Sequence, residues 1–272
     1  MNLPFKLREN TGYCIPEGPA FSSARQVSFT INGTNIEFLA PQHKPISRYR
    51  EEIKPDHQYK FRDINFQSNF NKDIHLSDSW KTHQILYRSW AFNGPWFTGP
   101  LAELDMSLIL IRPTDLNEQI SYFHPRAFEQ AVGDYLSNRF SLIKDNGRPS
   151  LIAPVNWLPI KNLPVVGARL QVAPDESLTL LKTIKEYFFF PIADQCLVAI
   201  SFYPAQLLGK MSQKDKDKHI DRSTMLALMN NIIDSLKITL SPEAQAWQEK
   251  ALEGLNDTAL VKNYPPMKWS VD

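Results

Sequence analysis

The apolar residues of this chain recur largely with a period of two, in short runs separated by turn residues. That pattern restricts the chain to a fold dominated by antiparallel strands. Val27, Phe29 and Ile31 alternate with polar residues, Asn32-Gly33 follows, and Ile36 and Phe38 resume the alternation. Alternation on both sides of Asn-Gly predicts a β-hairpin. Ile85–Phe92 and Leu101–Arg112 read as two more strands, joined by the turn-rich connector Asn93–Pro100. In the second of these, Met106, Leu108 and Leu110 share one face, and Ile109 and Ile111 share the other. A strand apolar on both faces is central in its sheet. Val155–Ile160, Val165–Val172, Thr179–Phe190 and Cys196–Tyr203 supply a second antiparallel set, its last two members separated by Pro191-Ile192-Ala193-Asp194.

Helical spacing appears in three places. His124-Pro125 opens a helix whose stripe of Phe128, Ala131, Val132, Tyr135, Leu136 and Phe140 runs to about Ile143, with Asn146-Gly147 as its stop. Ser223 is placed to cap a helix carrying Met225, Leu226, Met229, Ile232, Ile233 and Leu236. Ser241-Pro242-Glu243 starts the last one. Few helices and many strands joined by short turns predict an α+β fold, an antiparallel sheet with helices packed on it as an αβα sandwich. One domain is expected over residues 27–255, after an extended lead-in at 1–26 and before a tail at 256–272. Two long inserts interrupt it, the polar segment 41–82, with room for a short helix near Ser47–Ile53, and the connector 93–100. The segment Lys210–Arg222 reads as a solvated charged loop.

This order resembles the PsbP/DcrB-like fold over roughly residues 27–240. Thr34–Pro41 resembles its early strand and Arg126–Phe140 its first helix. Phe189-Phe190-Pro191-Ile192-Ala193-Asp194, then Leu197–Phe202 and the helix bearing Asn231–Leu236, resembles its closing hairpin and last helix. The resemblance implies an αβα sandwich and a binding, accessory or chaperone-like role, and it supplies no catalytic residues.

Composition narrows the chemistry. Thirty basic residues face 29 acidic ones, for a net charge of +1, which disfavours a nucleic-acid partner or an anionic membrane surface. Only 10 glycines occur, and neither G-x-G-x-x-G nor G-x-x-x-x-G-K-[ST] is present, so no nucleotide cofactor is expected. Cys14 and Cys196 stand far apart and read as free thiols of a reducing compartment, with one disulfide in a periplasmic protein as the alternative. Residues 1–10 carry charges and a proline rather than an apolar leader, and no run approaches a membrane span, so a cytoplasmic protein without membrane insertion is expected.

Four groups of residues are candidates for a site. Asp73, His75, Asp78 and His83 offer nitrogen and oxygen ligands, but their spacing matches no metal-site pattern, and exposed loop histidines explain them better. No G-x-S-x-G elbow accompanies a nucleophile, and Cys196 reads as a small buried hydrophobe. Glu103 and Asp105 lie on one strand face, roughly 7 Å apart, the spacing of a carboxylate pair and equally of a solvated strand face. Trp90, Phe92, Trp96 and Phe97 crowd the connector. They either fold back as a lid over the core or form a contact surface, since exposed aromatics anchor interfaces. The expectation is a non-enzymatic binding protein that meets a protein partner, chaperone-, adaptor- or immunity-like, with no cofactor. The alternative is a hydrolase whose site is built from the histidine-bearing 41–82 loop with His75 and His83.

Overall fold

The computed structural model describes residues 13–67, 79–95, 98–117, 119–145, 147–174, 184–209, 211–267 and 269. In chain order its elements are β1 (Arg25–Ile31), β2 (Thr34–Ala40), β3 (Gln58–Tyr59), β4 (Trp80–Asn93), β5 (Pro100–Pro113), α1 (Pro125–Phe140), β6 (Lys144–Asp145), β7 (Arg148–Pro149), β8 (Leu151–Pro159), β9 (Ala168–Pro174), β10 (Lys185–Ala193), β11 (Cys196–Gln206), α2 (Gln213–Lys216), α3 (Ser223–Asp234), β12 (Lys237–Thr239) and α4 (Pro242–Leu252). The fold is mixed α+β, with two sheets dominated by antiparallel pairing and four helices among the described residues.

The six-stranded central sheet has the order β4-β5-β11-β10-β9-β8, and every neighbouring pair is antiparallel. β5 is central, with Leu108 opposite Leu86 on one side and Ile200 on the other. The second sheet has the order β12-β2-β1-β3. Its β1–β2 hairpin turns at Asn32 and Gly33, whose φ values of +49° and +86° are those a tight hairpin turn needs.

Alternation along the strands divides the apolar residues between two cores. Leu104, Met106, Leu108 and Leu110 of β5 face the second sheet and α3, as do Val198, Ile200 and Phe202 of β11 and Phe188 and Phe190 of β10. Their chain neighbours Ile109, Ile111, Leu197, Ala199, Tyr187 and Phe189 face α1. Phe29, Ile36, Phe38, Met225 and Met229 complete the first core, and Phe128, Val132, Leu136 and Phe140 the second. Each large side chain so buried contributes about 1.5–3 kcal/mol of transfer free energy. β5, β10 and β11 contribute to both cores.

Several elements depart from the pattern reading. Helices alone do not flank the central sheet, because β1, β2, β3 and β12 form a second sheet on the side of α3. β12 carries a single apolar residue, Ile238, too few for periodicity to reveal, and its pairing with β2 defines it. α1 ends at Phe140, and Gly147, at φ +80°, lies between β6 and β7 instead of stopping the helix. β10 continues through Pro191 to Ala193, and the missing proline N–H coincides with a register shift between those two residues. Arg222, rather than Ser223, occupies the N-cap of α3, while Ser241 caps α4 by accepting from the Ala244 amide at 3.1 Å. The Ser47–Ile53 stretch holds no helix, and the charged loop contains the short α2.

The described part of the 41–82 insert is a strap rather than a free loop. Lys44, Ile53 and Gln67 exchange backbone hydrogen bonds of 2.8–3.0 Å with the edge of β4, at Ser89 and Ala91, Tyr87, and Thr82. This covers an edge that would otherwise offer itself to another strand. A second strap closes the far side. The Val261 amide donates to Glu129 of α1 at 2.6 Å, Trp157 Nε1 donates to the Val261 carbonyl at 2.9 Å, and the Met267 amide donates to the Ala153 carbonyl at 3.0 Å. Among the described residues no helix is long and apolar enough to cross a membrane.

Candidate functional site

The face of the central sheet that carries α1 changes character halfway along its strands. On β5 the residues of that face run Ile111, Ile109, Ser107, Asp105, Glu103, and on β11 they run Leu197, Ala199, Ser201, Tyr203. The apolar half lies under α1, and the polar half is open. The register lines up Tyr87, Ser107, Ser201 and Tyr187 across β4, β5, β11 and β10. Two small serines thus form a floor between two tyrosine walls. The resulting groove has a volume of about 230 Å³ and is completed by Gln84, Tyr135, Arg139, Lys185 and Tyr203.

One end of the groove is an ion-pair cluster delivered by the first strap. Arg50 Nη1 donates to both Asp105 oxygens, at 2.8 and 2.9 Å, and lies 3.0 Å from Glu103 Oε2. The Tyr87 hydroxyl donates to Asp105 at 3.1 Å. Glu103, only 6% exposed, also accepts from the Ser89 hydroxyl at 2.8 Å and the Ile46 amide at 3.0 Å. The two carboxylates that share a strand face are therefore partners of one guanidinium, and the arrangement holds charge in place rather than freeing a carboxylate to act as acid or base. Coulombic attraction from both carboxylates outweighs desolvation and raises the pKa of Arg50. Burial raises those of Tyr87, Tyr135 and Tyr187, so these phenols stay protonated. On the floor, Gln84 Nε2 donates to Ser107 Oγ at 2.7 Å.

The aromatic candidates divide. Trp90 and Phe92 are 0% and 1% exposed, within the core between the two sheets, so they form no contact surface. The Trp90 indole donates to the Gln42 carbonyl at 2.9 Å, and Phe92 packs so closely on Gly18 that a Cβ there would overlap its ring. Their positions on β4 put them on the face that looks at the second sheet. Trp96 and Phe97 lie outside the described residues, as do Asp73, His75 and Asp78.

His43 of the first strap and His83 of β4 serve the local geometry. His43 Nδ1 accepts from the Ser89 amide at 2.9 Å, so its other nitrogen donates to the Arg50 carbonyl at 2.8 Å. His83 Nδ1 stands 3.2 Å from the Asn65 carbonyl, and its ring lies between those of Tyr59 and Phe66. No group of three or more His, Cys, Asp or Glu among the described residues is arranged to hold a metal ion. Both cysteines are buried and form no disulfide, and burial pushes the Cys196 thiol up to about 12.

Pattern reading found Glu103 and Asp105 but not Arg50, Tyr87, Ser107, Tyr135, Tyr187, Ser201 or Tyr203. The usable signal was the switch from Ile to Ser and Asp at every second residue of β5, repeated on β11 as Ala to Ser and Tyr. The molecule is thus a mixed α+β protein with a polar groove on a half-covered sheet. No family model, no curated protein and no solved structure matches the chain.

Proposed function

We propose that this is a non-enzymatic binding protein that acts through contact with a protein partner, in the manner of a chaperone, an adaptor or an immunity factor. The contact is centred on the polar half of the central sheet. The observation that supports this reading is the composition of that half, where the half-buried Tyr87 and Tyr203 flank Ser107 and Ser201 in an open groove. Tyrosine offers a large contact area for few rotors, and serine offers adaptable hydrogen bonds, the combination used by protein-binding surfaces. Tyr49, 89% exposed, and Ile53 stand on the strap that carries Arg50 to this groove and extend the surface beyond it. Helices on both sides of the central sheet fit the PsbP/DcrB-like resemblance, whose members are largely accessory and binding proteins.

The test begins with affinity capture of the full chain from its native lysate and ends with reconstitution from purified components. A one-to-one complex is expected, with affinity reduced about tenfold or more by Ser201→Trp, which fills the groove floor, and by Tyr49→Ala. A reconstituted complex indifferent to both substitutions places the contact elsewhere, and failure to obtain any stoichiometric complex refutes the reading.

A further inference from the structure

A second cavity lies at the other end of α1. The groove takes Tyr135 and Arg139 from the carboxyl-terminal half of that helix, whereas this cavity takes His124 and Ala127 from its start. Its other walls come from the segment just before α1, the β10–β11 turn and α4. Its volume is about 470 Å³, about twice that of the groove, and falls within the roughly 300–1,000 Å³ of small-molecule sites.

Two opposite charges line this cavity without neutralising each other. Asp194 brings a carboxylate and Lys250 an ammonium, and neither side chain is in an ion pair among the described residues. Both stand on rigid elements. Asp194 opens the two-residue turn between Ala193 of β10 and Cys196 of β11, and its carbonyl accepts from the Tyr122 amide at 2.5 Å. Lys250 follows Trp247 by three residues on α4, so the two share a helix face. Trp247 also lines the cavity and packs against the core between the two sheets, which makes its indole a fixed aromatic wall. His124 adds a neutral donor. Its Nδ1 caps α1 by accepting from the Arg126 amide at 3.2 Å, so the ring proton is carried on Nε2. The lining thus combines one anion, one cation with an N–H donor, and one apolar wall. A ligand with a single charge leaves one lining charge without a counterpart, whereas a ligand with both charges on one short frame meets the two together.

We infer that this cavity binds a free α-amino acid with an apolar side chain. Its ammonium faces Asp194, its carboxylate accepts from Lys250 and from His124 Nε2, and its side chain lies against the Trp247 indole. The site goes beyond the proposed function, since it uses neither the groove nor a protein partner.

The isolated full chain is titrated by calorimetry with L-phenylalanine and L-leucine, and with phenethylamine and 3-phenylpropionate, each of which keeps one of the two charges of phenylalanine. One equivalent of either amino acid is expected to bind, with the single-charge analogues at least about tenfold weaker, the range for a hydrogen bond to a charged group. Lys250→Gln should bring phenylalanine down to the level of phenethylamine and leave phenethylamine unchanged. Asp194→Asn should bring phenylalanine down to the level of phenylpropionate and leave phenylpropionate unchanged. These are ratios between ligands on one protein, so a variant that is merely less stable does not reproduce them. The inference is overturned if neither amino acid binds at millimolar concentration, if the amine or the acid binds as well as phenylalanine, or if the two variants keep the parent's preference for phenylalanine over the single-charge analogues.

Discussion

The two halves of the α1-bearing sheet face share the same strands, the same register and the same neighbours, yet one is core and the other is groove. Phe189, Leu197 and Ile111 lie in the covered half beneath Phe128, Val132 and Leu136 of α1. Two to six residues further along those strands stand Tyr187, Ser201 and Asp105. In an antiparallel sheet the strand geometry is the same in both halves, so backbone architecture cannot tell them apart. What separates them is the side chain chosen at every second position, and the length of the helix laid over them.

Three perturbations bear on that comparison. The largest effect belongs to the covered half. Phe189→Ala should cost about 3–5 kcal/mol, as emptying a buried aromatic site does, whereas Ser201→Ala should stay within about 0.5 kcal/mol of the parent. Denaturant melts at one pH measure both, and similar losses would mean that the open half is also core. Next is Arg50→Ala. It leaves Glu103 with only the Ser89 hydroxyl and the Ile46 amide, and, with Arg50 itself partly in solvent, should cost about 1–2 kcal/mol. Adding Glu103→Gln should recover part of that loss in a double-mutant cycle, and full additivity would show that the pair does not interact.

The smallest effect sits on the helix that covers the apolar half. Asp134 is exposed, yet partial desolvation on α1 raises its carboxyl above the ordinary range, so the native state binds that proton more tightly than the unfolded chain. The favourable contribution is then present in acid, below the unfolded value, and is lost as pH rises through the native one. Asp134→Asn should stabilise the protein at pH 7 and give no gain at pH 3. Equal gains at both pH values would mean that the charged carboxylate is not what the site disfavours.

The strands of this fold were largely legible, and the reason is that burial on two faces writes itself into every residue. Leu108 and Leu110 against Ile109 and Ile111 announced a central strand, and β5 is one. The site was legible only in part. Glu103 and Asp105 could be placed on one face, but the group that defines them, Arg50, comes from another segment of the chain, and nothing local marks an arginine as someone's partner. Tyr135 was read correctly as part of the apolar stripe of α1, and the pattern could not show that it also lines the groove. Trp90 and Phe92 illustrate the converse. Their crowding beside a turn drew attention, while the alternation of β4 had already assigned them to the core side.

The pairing of β12 with β2 has a consequence for how the protein is made. β2 ends at Ala40 and β12 begins at Lys237, so a ribosome must add about 200 residues between them. At synthesis rates of about 5–20 residues per second, the hairpin that opens the chain waits roughly 10–40 s for the strand that completes its sheet. During that interval the edge of β2 from Asn35 to Glu37 lacks the strand that it pairs with in the finished fold. The growing chain therefore carries an unpaired strand edge throughout that interval, a template for wrong strand pairing until β12 arrives.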